Sequence, residues 1–235
     1  MSVETVAQHI QQIQQRIAAA AQRAGRAADD VLLVAVTKTV QPELIEQALA
    51  ADANTFGESK VQEARQKIPL VSGRARWHMV GHLQTNKARD GVELFELIHS
   101  VDSVKLAAEI SKWAGRAGKT QRVLLEINLS GESSKFGLKP DALDEALCQI
   151  RALPRLEVEG LMTVPPHTEE IENVRPWFRL LRELRDTAAR RHDLALPHLS
   201  MGMTGDFEIA IEEGATMLRL GTAIFGERRK HEPEE

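Results

Sequence analysis

The 235-residue chain has no tyrosine, one cysteine and few aromatic residues, 4% in all. A single thiol, Cys148, rules out an internal disulfide and suits a reducing compartment. It lies in the helical pattern Leu143, Leu147, Ile150, so it is expected to be buried and structural. No apolar run reaches the roughly 20 residues that a spanning helix requires. Val3, Val6, Ile10, Ile13 and Ile17 recur at three- and four-residue spacing among polar residues, which reads as an amphipathic helix and not as a secretory leader. The expectation is a cytoplasmic protein with no membrane partner. A net charge of −4 offers no field for neutralising nucleic-acid phosphates, and the arginines of stretch 179–191 read as the wet face of a helix. No nucleic-acid partner is expected.

Nucleotide and metal motifs are also missing. There is no G-x-G-x-x-G. Gly118-Lys119-Thr120 resembles the end of a phosphate loop, but Trp113 stands where the earlier glycine belongs and the segment precedes a strand. His78 and His82 have the i, i+4 spacing of a zinc helix. Met79 replaces the glutamate, however, and Gly81 suggests a strand ending in a loop, so both histidines are expected on a loop or rim and no metal is expected.

What the sequence does contain is rhythm. Its 43% hydrophobic and 27% charged residues suit one soluble domain spanning 1–235, with an N-terminal helical segment over 1–26. Strand patterns near 31–37, 54–57, 76–81, 97–100, 122–128, 156–163, 198–201 and 216–220 alternate with helical patterns near 42–52, 60–68, 103–117, 140–152, 170–191 and 205–213. Eight strand–helix units in about 250 residues predict an α/β fold, a single (β/α)8 TIM barrel with an extra N-terminal helix.

In such a barrel the functional groups sit at the C-terminal strand ends, and the loops after the last two strands often hold phosphate. Lys38 follows the apolar run Val31–Val36, where burial would favour a neutral amine able to condense with a carbonyl to give a Schiff base. Ser59 follows the second strand, Gly81 and His82 the third, Ser200 the seventh, and Gly221-Thr222 the eighth. Glycine lets backbone N–H groups approach an anion, and hydroxyls add donors.

The blocks Val34-Ala35-Val36-Thr37-Lys38-Thr39, Phe56-Gly57-Glu58, Trp77 to Lys87, Ser200-Met201-Gly202-Met203 and Arg219 to Gly226 closely resemble the pyridoxal phosphate homeostasis proteins, over nearly the whole chain. That family is similar to the N-terminal barrel of alanine racemases. The resemblance implies pyridoxal 5'-phosphate (PLP) as cofactor, held covalently by Lys38. It implies Ser200 or Thr204, with Met201, Gly202 and the Gly221-Thr222 turn, at the phosphate, and Arg219 beside the pyridine nitrogen. The family usually has asparagine after Phe-Gly-Glu. Here Ser59 stands there, and its shorter hydroxyl is expected to reach the cofactor only through water.

A racemase of this type pairs its lysine with a tyrosine from a second domain. This sequence has no tyrosine and ends within about fifteen residues of the last predicted strand, so the expectation is a non-catalytic carrier or buffer for PLP, exchanging it and related B6 vitamers with apo PLP-dependent enzymes and acting as a monomer. Lys135, in the loop after the fifth strand, is a candidate for transient transfer. The alternatives are a weak PLP-dependent racemase or lyase, with His82 or His167 as base, and an aldolase using Lys38 without cofactor.

Overall fold

The computed structural model describes residues 5–132, 135–166, 168 and 170–226. In chain order its main elements are α1 (Val6–Arg23), β1 (Leu32–Val36), α2 (Pro42–Ala50), β2 (Thr55–Glu58), α3 (Val61–Lys67), β3 (Arg76–Met79), α4 (Ala88–Leu94), β4 (Leu97–Val101), α5 (Val104–Arg116), β5 (Gln121–Glu126), α6 (Leu143–Arg151), β6 (Leu156–Met162), α7 (Arg175–His192), β7 (His198–Ser200), α8 (Phe207–Glu212), β8 (Met217–Leu220) and α9 (Thr222–Phe225). All strand pairs are parallel, and β8 pairs with β1 to close the barrel. The predicted TIM barrel is the observed fold.

Strand alternation divides the apolar residues between two cores. Val34, Leu97, Leu124, Met162 and Met217 form a small cluster inside the barrel, with Leu32 and Val80 packed on it. Ala35, Phe56, Met79, Ile98, Leu218 and Leu220 join the helices in the much larger outer core. Gly160 on β6 lets β7 approach: with φ of +158°, an added Cβ would fall 1.9 Å from the His198 carbonyl oxygen. The β5–β6 register shifts beside it, between Val123 and Leu124.

α1 caps the N-terminal end of the sequence and binds the last elements of the barrel. Thr5 closes its first turn with a capping box, in which Gln8 N–H donates to the Thr5 hydroxyl. Arg16 pairs with Glu208, Arg23 with Glu212, and Arg26 donates to the carbonyls of Ile211 and Ala215. Val3 of the expected stripe lies outside the described residues. The arginine-rich helix is wet only in part, because Arg175, Arg179 and Arg182 converge on the buried Glu213 and tie α7 to the end of α8. Lys119 of the rejected phosphate-loop segment donates to the Val92 carbonyl at 2.8 Å, a packing role.

Three expectations need correction. Cys148 is exposed, because it sits one position past Leu147 and has turned off the buried face of α6. His78 is not a rim residue but fully buried, since it shares the inward parity of Val80, the residue just past the end of β3. Finally, α4 fills the β3–β4 connection, where its short run Ala-Arg-Asp-Gly-Val-Glu-Leu, with Gly91 inside it, gave no helical signal. Among the described residues no helix is long and apolar enough to cross a membrane, and no group of three His, Cys, Asp or Glu side chains forms a metal site.

Candidate functional site

The order β7–β8–β1–β2 brings four of the sequence's candidate segments to one arc of the barrel mouth. Val34 pairs with Arg219 and Ala35 with Leu220, so the turn after β1 and the turn after β8 emerge side by side. Thr37, Lys38 and Thr39 form a turn, closed by the Val40 N–H donating to the Thr37 carbonyl at 2.9 Å. Lys38 itself is exposed. The desolvation suggested by its apolar strand is absent, because β1 ends at Val36 and the lysine stands two residues beyond it.

Next to this turn, the loop after β7 lies against the start of α9. Thr204 Oγ1 accepts the Ala223 N–H at 3.3 Å. The loop owes its course to Gly202, whose φ is +95° and whose added Cβ would meet Ala210 Cβ at 2.7 Å. Asp206 fixes the other end by accepting the Met203 N–H at 2.5 Å, and burial raises its carboxyl above the usual range, with that bond and Arg219 drawing it back. Met201 is buried and bonded through its backbone to Met217, so Met201 and Gly202 contribute chain path rather than side-chain contacts. Thr222 is exposed at the head of α9.

Ser200 stands apart from that loop. Its side chain is fully buried, Arg219 Nη1 donates to its Oγ at 2.6 Å, and His99 Nδ1 lies 2.8 Å from the same oxygen. Its hydroxyl is thus already engaged inside the barrel, and Thr204 is the hydroxyl beside the Gly221-Thr222 turn.

Behind Ser200 a buried polar chain crosses the barrel. His99 Nε2 is 3.0 Å from His78 Nδ1, and Arg219 Nη2 donates to the Thr163 carbonyl at 2.8 Å. Every hydrogen bond of the chain is made when the Ser200 hydroxyl, which accepts from Arg219, donates onward to His99 Nδ1. His99 then donates from Nε2 to His78 Nδ1. This assignment satisfies every member but His78 Nε2, which has no hydrogen-bond partner. Burial holds both imidazoles neutral, pushing His78 down to about 3 and His99 well below its ordinary value. Sequence patterning could have exposed this layer only through the inward parity of His78 and His99, once the barrel faces were known.

Arg219 is 5% exposed and carries the charge of this layer. Burial lowers its guanidinium to about 10, against the pull of Glu126 and Asp206, so it remains a cation at neutral pH. Glu126, at the end of β5, is raised to about 7 by burial and by Asp102, with Arg219 opposing. Glu126 also lines a cavity of about 220 Å³ with Ile127, Asn128, Lys135, Phe136 and Val164. Lys135 pairs with Glu132 at 2.9 Å. His82 stacks on Phe136 at 3.5 Å between ring centroids and lies 3.2 Å from Asp102 Oδ2. His167 lies outside the described residues. Ser59 lines a separate cavity of about 590 Å³ with Lys60, His82, Gln84 and Lys87, and its backbone presses so closely on Gly81 that an added Cβ there would lie 2.4 Å from the Ser59 oxygen.

Residues 8–229 match the family model described as alanine racemase, N-terminal domain. A pyridoxal phosphate homeostasis protein of Aquifex aeolicus is 45% identical over 223 residues, covering 94% of this chain and 98% of the relative. The structure of PipY from Synechococcus elongatus PCC7942 with PLP bound is 35% identical and superposes with a TM-score of 0.81, covering 91% of this chain and all of that one. An alanine racemase from Corynebacterium glutamicum shares the fold at 21% identity and a TM-score of 0.70, with 61% of its chain covered.

Proposed function

The chain belongs to the pyridoxal phosphate homeostasis proteins, within the alanine racemase N-terminal domain family, and from that membership we propose that it binds PLP and serves as a carrier or buffer rather than a catalyst. The observation that carries the reading is the juxtaposition of Lys38 with the Thr204 and Gly221-Thr222 turns, across the β1–β8 seam and above a buried guanidinium. An amine, an anion cradle and a ring-facing cation in that order suit an aromatic aldehyde phosphate. The PLP-bound PipY structure supports the same cofactor here.

In this reading Lys38 holds the aldehyde carbon as a Schiff base, and Thr204, Thr222 and the backbone of Gly221 hold the phosphate. Ser200 supports Arg219 from behind, because its oxygen already accepts from that guanidinium. When bound, PLP supplies an electron sink only to the extent that its ring nitrogen is protonated, and a guanidinium has no lone pair with which to favour that proton. With no tyrosine in the sequence to complete proton transfer, retention and release of the aldehyde are favoured over turnover. Lys135, on the loop at the neighbouring cavity, is a transfer residue in this scheme, and apo PLP-dependent enzymes are the recipients.

Two measurements test the function. With excess PLP, racemisation or decarboxylation of amino acids is expected to stay at the level of free cofactor, whereas transfer to an apo-enzyme proceeds from the loaded protein. Robust turnover would replace the carrier by a racemase-like enzyme. Loaded protein that never yields cofactor would leave storage alone.

The phosphate cradle has its own test. Thr204→Ala with Thr222→Ala is expected to weaken PLP retention by about ten- to a hundredfold, on the order of two hydrogen bonds at about 1 kcal/mol each. Equilibrium dialysis of the double variant giving the wild-type affinity would remove both hydroxyls from the cradle.

A further inference from the structure

Lys67 takes no part in the contacts proposed above, yet its ammonium is buried directly behind the Lys38 turn. Its side chain is 8% exposed, on the last residue of α3. Nζ donates to the Thr37 carbonyl at 2.6 Å, to Glu58 Oε1 at 2.8 Å and to Glu63 Oε1 at 2.6 Å. The same two carboxylate oxygens hold the residues on either side of Lys38. Thr37 Oγ1 donates to Glu58 Oε1 at 2.6 Å, and the Thr39 N–H donates to Glu63 Oε1 at 2.5 Å.

This convergence has a cause in the backbone. Thr39 has φ of +60°, a left-handed conformation that a β-branched residue resists. The turn therefore needs outside support, and Glu63 supplies it at the amide that follows Lys38. Lys67 in turn neutralises the two carboxylates that make the turn's side bonds. Burial raises the Glu58 carboxyl, with Lys67 and Thr37 drawing it back. Burial opposes Glu63 as well, but the bonds from Lys67 and Thr39 leave it below the ordinary range. An ion pair serving only to join β2 to α3 would have no need to reach Thr37 or Thr39.

We propose that Lys67, acting through Glu58 and Glu63, is the positioning residue for Lys38, fixing the direction in which the Lys38 amine leaves the backbone. The inference rests on the reading of Lys38 as the covalent lysine. The step it serves is the addition of the Lys38 amine to the aldehyde carbon, with water leaving as the C=N bond forms. A reacting amine displaced by even a fraction of an ångström meets the aldehyde less often in a productive geometry.

The test uses the whole chain. Lys67→Met combined with Glu58→Gln removes the ammonium without stranding a buried charge on Glu58. Glu63→Gln alters only a partly exposed carboxylate, at 24% side-chain exposure, and keeps the test open if the double variant does not fold. Capture of PLP, followed by absorbance, is expected to slow on the order of tenfold in the double variant and about threefold in Glu63→Gln. After borohydride reduction, peptide mapping is expected to find part of the pyridoxyl label moved from Lys38 to other lysines. A purely structural ion cluster would lower the melting temperature and leave both readouts unchanged. Folded variants that capture PLP at the wild-type rate, with all label on Lys38, overturn the proposal alone. Wild-type label on another lysine overturns the Lys38 reading and this proposal with it.

Discussion

Lys38→Ala is expected to emerge from desalting without bound PLP, where the wild-type chain retains about one equivalent, a loss of affinity of about a hundredfold or more, or roughly 3 kcal/mol. Removing the amine removes the only covalent bond in the proposed site, leaving the phosphate cradle and ring contacts. The fold should be indifferent to the change. Lys38 is exposed in a turn whose bonds run through Thr37 and Thr39, and substitutions at such surface positions usually stay within about 0.5 kcal/mol. An unaltered melting temperature beside a lost cofactor would separate binding from folding. Full retention, with the borohydride-trapped label on Lys135 or elsewhere, would transfer the covalent role to that residue.

Arg219→Glu is expected to raise α-proton exchange of amino acids with deuterated solvent by on the order of ten- to a hundredfold per bound PLP. A carboxylate beside the ring nitrogen favours its protonated form, and general acid–base contributions of that size are ordinary. The substitution also carries a large stability cost. It deprives Ser200 and the Thr163 carbonyl of their donor at a fully buried position and sets a second acid near Glu126. A loss of about 3–5 kcal/mol is expected from such an uncompensated buried charge. Arg219→Gln keeps an amide donor for Ser200, so it should fold better and show less exchange. Unchanged exchange in both variants, measured by NMR with cofactor bound, would remove Arg219 from control of the ring.

The barrel itself is legible because short strand patterns, the apolar run of β1 the plainest of them, recur with helical patterns between them. Length and type sufficed there. The layer inside the barrel was not legible, because a strand buried on both faces has no polar face to mark its inside. The pattern therefore sets His78 at the rim and gives no signal for His99. Cys148 failed for a related reason: it neighbours the buried stripe of α6 in sequence, and one helical step of about 100° moved it to the surface. Lys38 is marked in the sequence by its place after β1, but its exposure follows from where the strand stops, a boundary that apolar patterning fixes only to within a few residues. The sequence favours Ser200, at the end of the seventh strand, over Thr204 for the phosphate, and only the fold separates them, because Arg219 and His99 hold the Ser200 hydroxyl.

The seam between β1 and β8 gives the candidate site an order of assembly. Lys38 leaves the ribosome early, whereas Gly221 and Thr222 emerge only after every other strand of the barrel has been made. The two ends of the site are joined by the β1–β8 pairing and by α1, whose His9 Nδ1 lies 2.8 Å from the Ile224 carbonyl. On the proposed reading, a nascent chain thus carries the Lys38 amine long before it has the Gly221-Thr222 turn that would hold the phosphate, and closing the barrel brings the two together. A ligand that bridges the seam would recognise only the closed chain, so its binding energy would add directly to the stability of that last and most non-local pairing.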